Sequence, residues 1–199
     1  CRAAPPVAAD DVGKGRLGSP HSIPLLAVIA LALFVACKKQ DKTAANINAA
    51  NRVAMREVRL YYESPQMLLI GETRSIALPE SPAAAIPVVV RELMKGPATP
   101  AGGLRLFPAD TVVRGAYLLP GGTVIVDLGG STLTQGWGTG SHQELMAVYS
   151  LVQTVITNFA DSRRVRILVN GAPAETLAGH VSLTRSHPPV PSLVDPRFR

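Results

Sequence analysis

One segment, SHQELMAVYSLVQTVITNFAD from Ser141 to Asp161, constrains the fold of this 199-residue chain more than any other. Its apolar residues recur at steps of three and four, which is the spacing of a helix with one buried face. Those residues are Leu145, Val148, Tyr149, Val152, Val155, Ile156 and Phe159. Ser141 and Glu144 have the spacing of a capping box, so we expect Ser141 to be the N-cap. A helix of this kind needs an apolar surface to cover.

Segments on both sides of the helix alternate apolar and polar residues, as half-buried strands do. VRLYYE begins this pattern at Val58, and RRVRILV continues it after the helix from Arg163. Pro120-Gly121-Gly122 separates two β-rich runs and predicts a hairpin, and Asn170-Gly171 predicts a type I′ turn. This order of elements predicts an α+β fold, in which a mixed or antiparallel sheet has two helices packed on one face.

A second helix is predicted in SPAAAIPVVVRELMKGP, which starts at Ser81. Ser81 could cap a helix with Pro82 at its first position, but Pro87 would then interrupt the hydrogen bonds of the second turn. We therefore expect the helix to run from Pro87 to Lys95, where a Gly-Pro pair ends it.

The first part of the chain has the pattern of an exported and anchored protein. Residues 23–36, IPLLAVIALALFVA, carry no charge and follow a basic leader of uncertain status, 1–22. This run is shorter than the roughly 20 residues of a membrane-spanning helix, so it is typical of a secretory signal. FVAC, which ends at Cys37, resembles the lipobox of bacterial lipoproteins and implies that Cys37 carries lipid. The alternative is a short anchor helix with an incidental cysteine. Residues 37–57 are polar and are expected to form a flexible tether.

Composition argues against several kinds of site. Cys1 and Cys37 both lie in the first fifth of the chain, so we expect no disulfide framework. The four histidines are scattered, so we expect no metal site. The net charge of +6 suits an anionic membrane surface or wall polymer, whereas aromatic residues make up only 5% of the chain, so no nucleic-acid partner is expected. The proline-rich tail, residues 186–199, is expected to be disordered.

Two motifs suggest catalytic or cofactor chemistry only superficially. The loop Gly136–Gly140 has part of a dinucleotide-binding pattern, but its third glycine would fall on Ser141, so we expect no cofactor. Ser141, His142 and Glu144 lie within one helical turn and lack a third group that would orient them as a hydrolase triad.

Three residues are candidates for an interaction surface. Trp137 is the only tryptophan, in a loop that we expect to be exposed, where it either anchors a partner or covers the helix end. Arg164 and Arg166 share one face of the predicted strand and form a basic stripe, for which plain solvation is the alternative.

Several segments of the sequence also resemble a known family. VIVDL at Val124, followed by QELMAVYSLVQTVITNFADSRRVRILVNGAPAETLAGHVSLTRS from Gln143, resembles the GerMN domain of sporulation and spore germination proteins. LMKGP, which begins at Leu93, is similar to it as well. The resemblance covers residues 58–185. It implies a domain similar to the ring-building motifs of secretion systems, a role in binding or assembly, and no established catalytic residues.

These observations predict a lipid-anchored, extracytoplasmic protein of the bacterial envelope that is not an enzyme. Its domain would bind an envelope protein or a cell-wall component, and a homo-oligomer is a further option. One alternative is an enzyme acting on cell-wall material, which a cleft with paired carboxylates would favour. Another is a small-ligand sensor that uses the Gly136–Gly140 loop, which a deep apolar pocket under that loop would favour.

Overall fold

Two long strands begin the part of the chain that the structure describes. The structure is a computed structural model that describes residues 52–99, 103–135, 137–138 and 140–199, all within the unit Thr43–Arg199. Strands β1 (Val53–Glu63) and β2 (Leu69–Pro79) pair antiparallel along their whole length. β1 therefore takes in the last residues of the segment that was expected to be a tether. Cys37, the leader and the signal segment lie outside the described residues.

The first helix, α1 (Pro82–Met94), begins earlier than the sequence predicted. Ser81 is its N-cap without a side-chain bond, and Pro82 occupies the first helical position, where a missing N–H costs nothing. Pro87 lies inside the helix, so the expected start at Pro87 was wrong. The buried face of α1 explains why the interruption is tolerated, because packing rather than propensity stabilises most helices in proteins. That face consists of Ala85, Ile86, Val89, Val90, Leu93 and Met94.

A four-stranded mixed sheet follows, in the order β3-β4-β5-β6. Its strands are β3 (Val112–Leu118), β4 (Thr123–Gly129), β5 (Arg164–Val169) and β6 (Ala172–Pro173). The pairing of β4 with β5 is parallel, and the other two pairings are antiparallel. The predicted turns are confirmed: β3 and β4 form a hairpin around Gly121 and Gly122, and Asn170 and Gly171 both have positive φ, of 52° and 79°. Both angles positive is the geometry of a type I′ turn.

Two helices connect β4 to β5, namely α2 (Ser131–Gln135) and α3 (Ser141–Asn158). α3 is the predicted amphipathic helix, but its N-cap is Gly140, and Ser141 makes no side-chain cap bond. The capping box was therefore wrong. Glu144, its expected second member, is fully buried and binds backbone N–H groups of residues 177–180 instead. The carboxylate therefore binds donors that are distant in sequence rather than the start of its own helix.

The core lies between the helices and the strands. α1 contacts α3 and β3, and α3 contacts β1 and β5. The largest side chains with no exposed surface include Met146 and Leu151 of α3 and Ile167 of β5. The α+β class is confirmed, but the strands form two sheets, the β1–β2 pair and the four-stranded sheet, rather than one.

Polar side chains of α3 hold the free edge of β1. Ser150 and Thr154 are completely buried, although serine and threonine are usually exposed. The Ser150 hydroxyl donates to the Tyr61 carbonyl at 2.5 Å, and the Tyr61 N–H donates to Thr154 Oγ1 at 3.0 Å. Asn158, one turn further, binds the backbone of Arg59. The helix thus covers part of an edge that would otherwise present unpaired backbone groups.

The proline-rich tail is packed, so the expectation of disorder for residues 186–199 was wrong. His187 exchanges two backbone hydrogen bonds with Val165 of β5, at 2.9 and 2.7 Å. Two short 3-10 helices follow, Pro191–Leu193 and Pro196–Phe198. Val194 is 1% exposed, and the N–H of the next residue donates to the carbonyl of Leu69 in β2. The tail thus runs from β5 to the β1–β2 hairpin, and we call it the strap.

Candidate functional site

Within the described part of the chain, the four-stranded sheet has one covered face and one bare face. Val124 and Val126 of β4 and Val165 and Ile167 of β5 are fully buried on the inner face, under the helices. Side chains that alternate with them are partly or fully exposed, because successive residues of a strand point to opposite faces. We call this bare side the outer face; its residues are Tyr117, Thr123, Ile125, Asp127, Arg164, Arg166 and Leu168.

A row of three side chains crosses the outer face. The register places Tyr117 of β3 opposite Ile125 of β4, and Ile125 opposite Arg166 of β5. Directly opposite residues lie close enough for their side chains to touch. Tyr117 is 60% exposed, although it is one of the larger apolar side chains of the domain. The row therefore combines an aromatic ring, an aliphatic chain and a guanidinium group on one accessible surface.

The conformation of Tyr117 depends on the residue beside it. A Cβ on Gly115 would come within 2.8 Å of the Tyr117 hydroxyl oxygen, so the ring lies over the bare backbone of Gly115. Tyr117 was not predicted as a site residue, because the run Ala116–Leu119 is apolar throughout and has no alternation that would show which side chains are exposed.

The two predicted arginines lie on the outer face, as the alternation predicted. Arg164 is exposed, and among the described residues its side chain has no hydrogen bond or ion pair. Arg166 is half-buried, and its Nη1 donates to the carbonyl of Thr184 at 2.5 Å. One guanidinium is thus held in place, and the other is exposed without a bond to any described residue.

The only carboxylate on this face is already occupied, as far as the described residues go. Asp127 Oδ1 accepts the N–H of Gly171 at 2.7 Å, and its Oδ2 accepts from Arg114 Nε at 3.2 Å. These contacts connect β4 to the Asn170-Gly171 turn and to the bulge in β3. Arg114 balances the charge of Asp127. The charges of Arg164 and Arg166 therefore remain, and the outer face is positive.

Trp137 does not belong to this surface. It is only partly exposed, contrary to expectation, and its ring stacks on Phe107 with a centroid distance of 5.9 Å. It borders a hollow of about 460 Å³ together with Val169 and Leu177. By alternation Val169 is on the opposite side of β5 from Arg164 and Arg166. The structure therefore brings the two arginines together and separates them from the tryptophan.

The hydrolase-like residues of α3 have different partners. His142 Nε2 lies 2.6 Å from Glu63 Oε1, at the end of β1. Glu144 Oε1 accepts the N–H groups of Leu177 and Ala178 at 2.9 Å, and its Oε2 contacts the N–H and the ring Nδ1 of His180. Although Ser141 and His142 are neighbours in sequence, His142 and Glu144 face separate groups and form no dyad with Ser141.

The pKa of Glu144 is the result of two opposing effects. Burial raises the pKa of this carboxyl, whereas the N–H groups of Ala178, His180 and Leu177 lower it, and the net shift is downward. The carboxylate is therefore ionised in the folded protein and fixes the loop after β6. Its role is structural.

The described residues form neither a metal-ligating cluster nor a membrane-spanning helix. No group of His, Cys, Asp or Glu side chains there is placed to hold a metal ion. None of the helices in this part of the chain has the length and hydropathy that a membrane span requires.

The chain is similar to several solved structures. A solved structure of a Clostridium perfringens protein named as a lipoprotein is 14% identical, with a TM-score of 0.50, and the match covers 72% of this chain and 93% of that one. The tandem GerMN domains of the Bacillus subtilis sporulation protein GerM are 20% identical, with a TM-score of 0.44, over 68% of this chain and 46% of that one. The first GerMN domain of GerM is 19% identical, with a TM-score of 0.41, over 72% and 98%.

No curated protein matches the sequence. The model of one family does match it, over residues 59–175, which run from β1 to just beyond β6 and are more than half of the 199 residues. The strap lies beyond that match. The chain therefore belongs to the Germane family, whose description is sporulation and spore germination.

Proposed function

We propose that this protein is a lipid-anchored component of the bacterial envelope whose domain binds a partner through the outer face and catalyses no reaction. The family is described by a cellular process rather than by a reaction. Among the residues that the structure describes, none that could act as nucleophile and base converge on a common substrate position. Binding or assembly is the function that such a domain can perform.

The contrast between the two faces of the four-stranded sheet is the observation that carries this proposal. The inner face is covered by helices, but the outer face leaves Tyr117 and Arg164 accessible. Tyrosine and arginine are enriched where proteins bind one another. With Asp127 balanced by Arg114, the surface favours a partner with acidic groups, either an envelope protein or a cell-wall component.

The lipid anchor is proposed on the sequence. The apolar run 23–36 ends at Cys37, and lysines follow at once. The Clostridium perfringens protein of similar fold is named as a lipoprotein, which fits the same arrangement. Each buried CH₂ of an acyl chain contributes about 0.8 kcal/mol, so more than one chain would hold the domain at the membrane.

Crosslinking of the membrane-tethered protein tests the binding surface. Arg164→Glu with Arg166→Glu should remove crosslinked partners that the wild type captures, because the outer face changes from basic to acidic. Arg91→Glu is the matched control, since Arg91 is an exposed arginine of α1, away from the sheet's outer face. Unchanged partners in the double variant, with the domain still folded, would show that this face is only solvated.

Labelling with a fatty acid tests the anchor separately. The wild type should take up the label and fractionate with membranes, and Cys37→Ser should abolish the uptake. A wild-type protein without label would refute lipidation but not the binding surface, because the two readouts are independent.

A further inference from the structure

One stretch of β1 presents backbone hydrogen-bonding groups that no other described residue uses. The backbone groups of Arg59 and Tyr61 point away from β2 and bind α3. Since strand residues alternate in direction, the N–H and C=O groups of Val53, Met55 and Glu57 point to the same edge. The coverage by α3 ends at Asn158, so residues 53–57 lie beyond it. This five-residue stretch is the open edge.

The open edge exposes two large apolar side chains next to the charged Arg56 and Glu57. Val53 is 60% exposed and Met55 is 66% exposed, and both point to the same face as Glu57. Exposed edges are normally protected by charged side chains, prolines or bulges, because an unpaired edge is a template for another strand. Here the register with β2 continues without a bulge to Val53.

We propose that the open edge pairs with the open edge of a second copy of this chain, antiparallel and centred on Met55. A two-fold axis then places Met55 opposite Met55 of the second copy. Val53 of each copy lies opposite Glu57 of the other. All of these residues direct their backbone groups outward, so each facing pair exchanges two N–H···O bonds. The two hairpins become one antiparallel sheet in the order β2-β1-β1-β2.

Charge and available length select this register over its neighbours. A shift of two residues in one direction sets Arg56 against Arg56 and brings Val53 to Arg59, whose backbone is already bound by Asn158. The opposite shift sets Arg52 against Arg56. Like charges directly opposite are unfavourable in a sheet. The pairing centred on Met55 places Arg56 opposite Ala54 and puts no like charges directly opposite each other.

The pairing leaves the outer face of the four-stranded sheet free in both copies, because it uses only the β1–β2 hairpin. It does not depend on the lipid anchor or on the partner proposed above. Its occupant is a second copy because the open edge matches itself in length and bonding direction and, in this register, sets no like charges directly opposite each other.

Disulfide trapping tests the register. The full chain is prepared in mild detergent with Cys1→Ser and Cys37→Ser, so that Met55→Cys supplies the only thiol. Facing residues of a hydrogen-bonded pair are about 5.5 Å apart at Cα, which a disulfide can bridge. We expect oxidation to give a linked dimer with Met55→Cys and much less with Met67→Cys. Met67 is a matched control because it is 61% exposed in the β1–β2 turn, at the far end of the hairpin.

Sedimentation over a range of concentrations gives a second readout. Met55→Lys sets two lysines face to face and should weaken dimerisation about tenfold or more. Met67→Lys should leave it unchanged. A monomer at all concentrations, or a dimer that ignores Met55→Lys, would overturn the proposal. Equal trapping at positions 55 and 67 would also overturn it.

Discussion

The side chain of Asn158 makes both hydrogen bonds to the backbone of Arg59 that a neighbouring strand would make. The Arg59 N–H donates to Asn158 Oδ1 at 3.0 Å, and Asn158 Nδ2 donates to the Arg59 carbonyl at 2.7 Å. Ser150 and Thr154 bind Tyr61 in the same way from the preceding turns of α3. A stripe of polar residues four apart thus takes the place of a strand, which explains why these positions are polar on a buried helix face.

Replacing Thr154 by Val should lower the free energy of unfolding by about 1 to 3 kcal/mol, because the buried N–H of Tyr61 loses its acceptor. Urea unfolding measures the change. Gln153→Ala is the control on the same helix, at an exposed bond to Thr157, and should change stability by less than about 0.5 kcal/mol. Equal stability of the two variants would show that the bond to Tyr61 contributes nothing.

Replacing Glu144 by Gln should destabilise the domain by about 2 to 3 kcal/mol, because the amide turns an N–H₂ group toward backbone N–H donors. The same change at Glu175, an exposed side chain of the adjacent loop, is the control. If Glu144→Gln is no less stable than Glu175→Gln, the carboxylate does not hold the loop at residues 177–180.

The contribution of Glu144 should also depend on pH in a defined direction. Because the folded pKa of Glu144 is below its ordinary value, the unfolded chain binds the proton more tightly. Its contribution is complete above the unfolded value of about 4.3 and is lost as the pH falls through the folded pKa. The stability difference between wild type and Glu144→Gln should therefore shrink in acid. A constant difference would contradict this assignment.

His187 should make the domain less stable in mild acid. Burial, followed by the charge of Arg166, lowers its pKa below the ordinary value. The unfolded chain therefore takes up a proton first, and stability falls as the pH drops below about 6.5. Between neutral pH and about pH 5, the free energy of unfolding should fall less steeply for His187→Gln than for wild type. Parallel curves would contradict the prediction.

Shortening Val194 tests whether the strap stabilises the domain. Val194→Ala removes apolar surface that is buried beside Leu69 and should cost about 2 kcal/mol of unfolding free energy. Val112→Ala, at a valine that is 53% exposed, should cost much less. Thermal or urea unfolding compares the two. Similar losses would mean that the strap is attached but does not contribute to stability.

Local sequence patterns predicted those elements whose conformation is determined by residues close together in the sequence. The helical period identified α3 itself, but only part of its predicted buried face: Leu145, Tyr149 and Ile156 are partly exposed, whereas Met146 and Leu151 are fully buried. Asn170-Gly171 specified its turn because both residues accept positive φ. Alternation also placed Arg164 and Arg166 on the bare face. In each case neighbours in sequence were sufficient.

Features decided by distant residues were missed. Glu144 has the spacing of a capping box, but its partners lie 33 to 36 residues further along the chain. Pro87 argued against a helix that the buried face of α1 nevertheless stabilises. The strap has the composition of a disordered tail, and only the surface offered by Leu69 and its neighbours gives Val194 a place to pack.

The side-chain ladder between α3 and β1 has a mechanical consequence. The residues before Arg52 are joined to the domain at the start of β1, so a pull on them that is directed along the strand axis would load β1 first. Hydrogen bonds across a strand are perpendicular to that axis. The β2 ladder on one edge and the bonds from Thr154 and Asn158 on the other are therefore loaded together, in shear. Residues 59–61 of the strand are bonded on both edges, whereas residues 53–57 are bonded only to β2, so resistance to such a pull is concentrated at Arg59 and Tyr61.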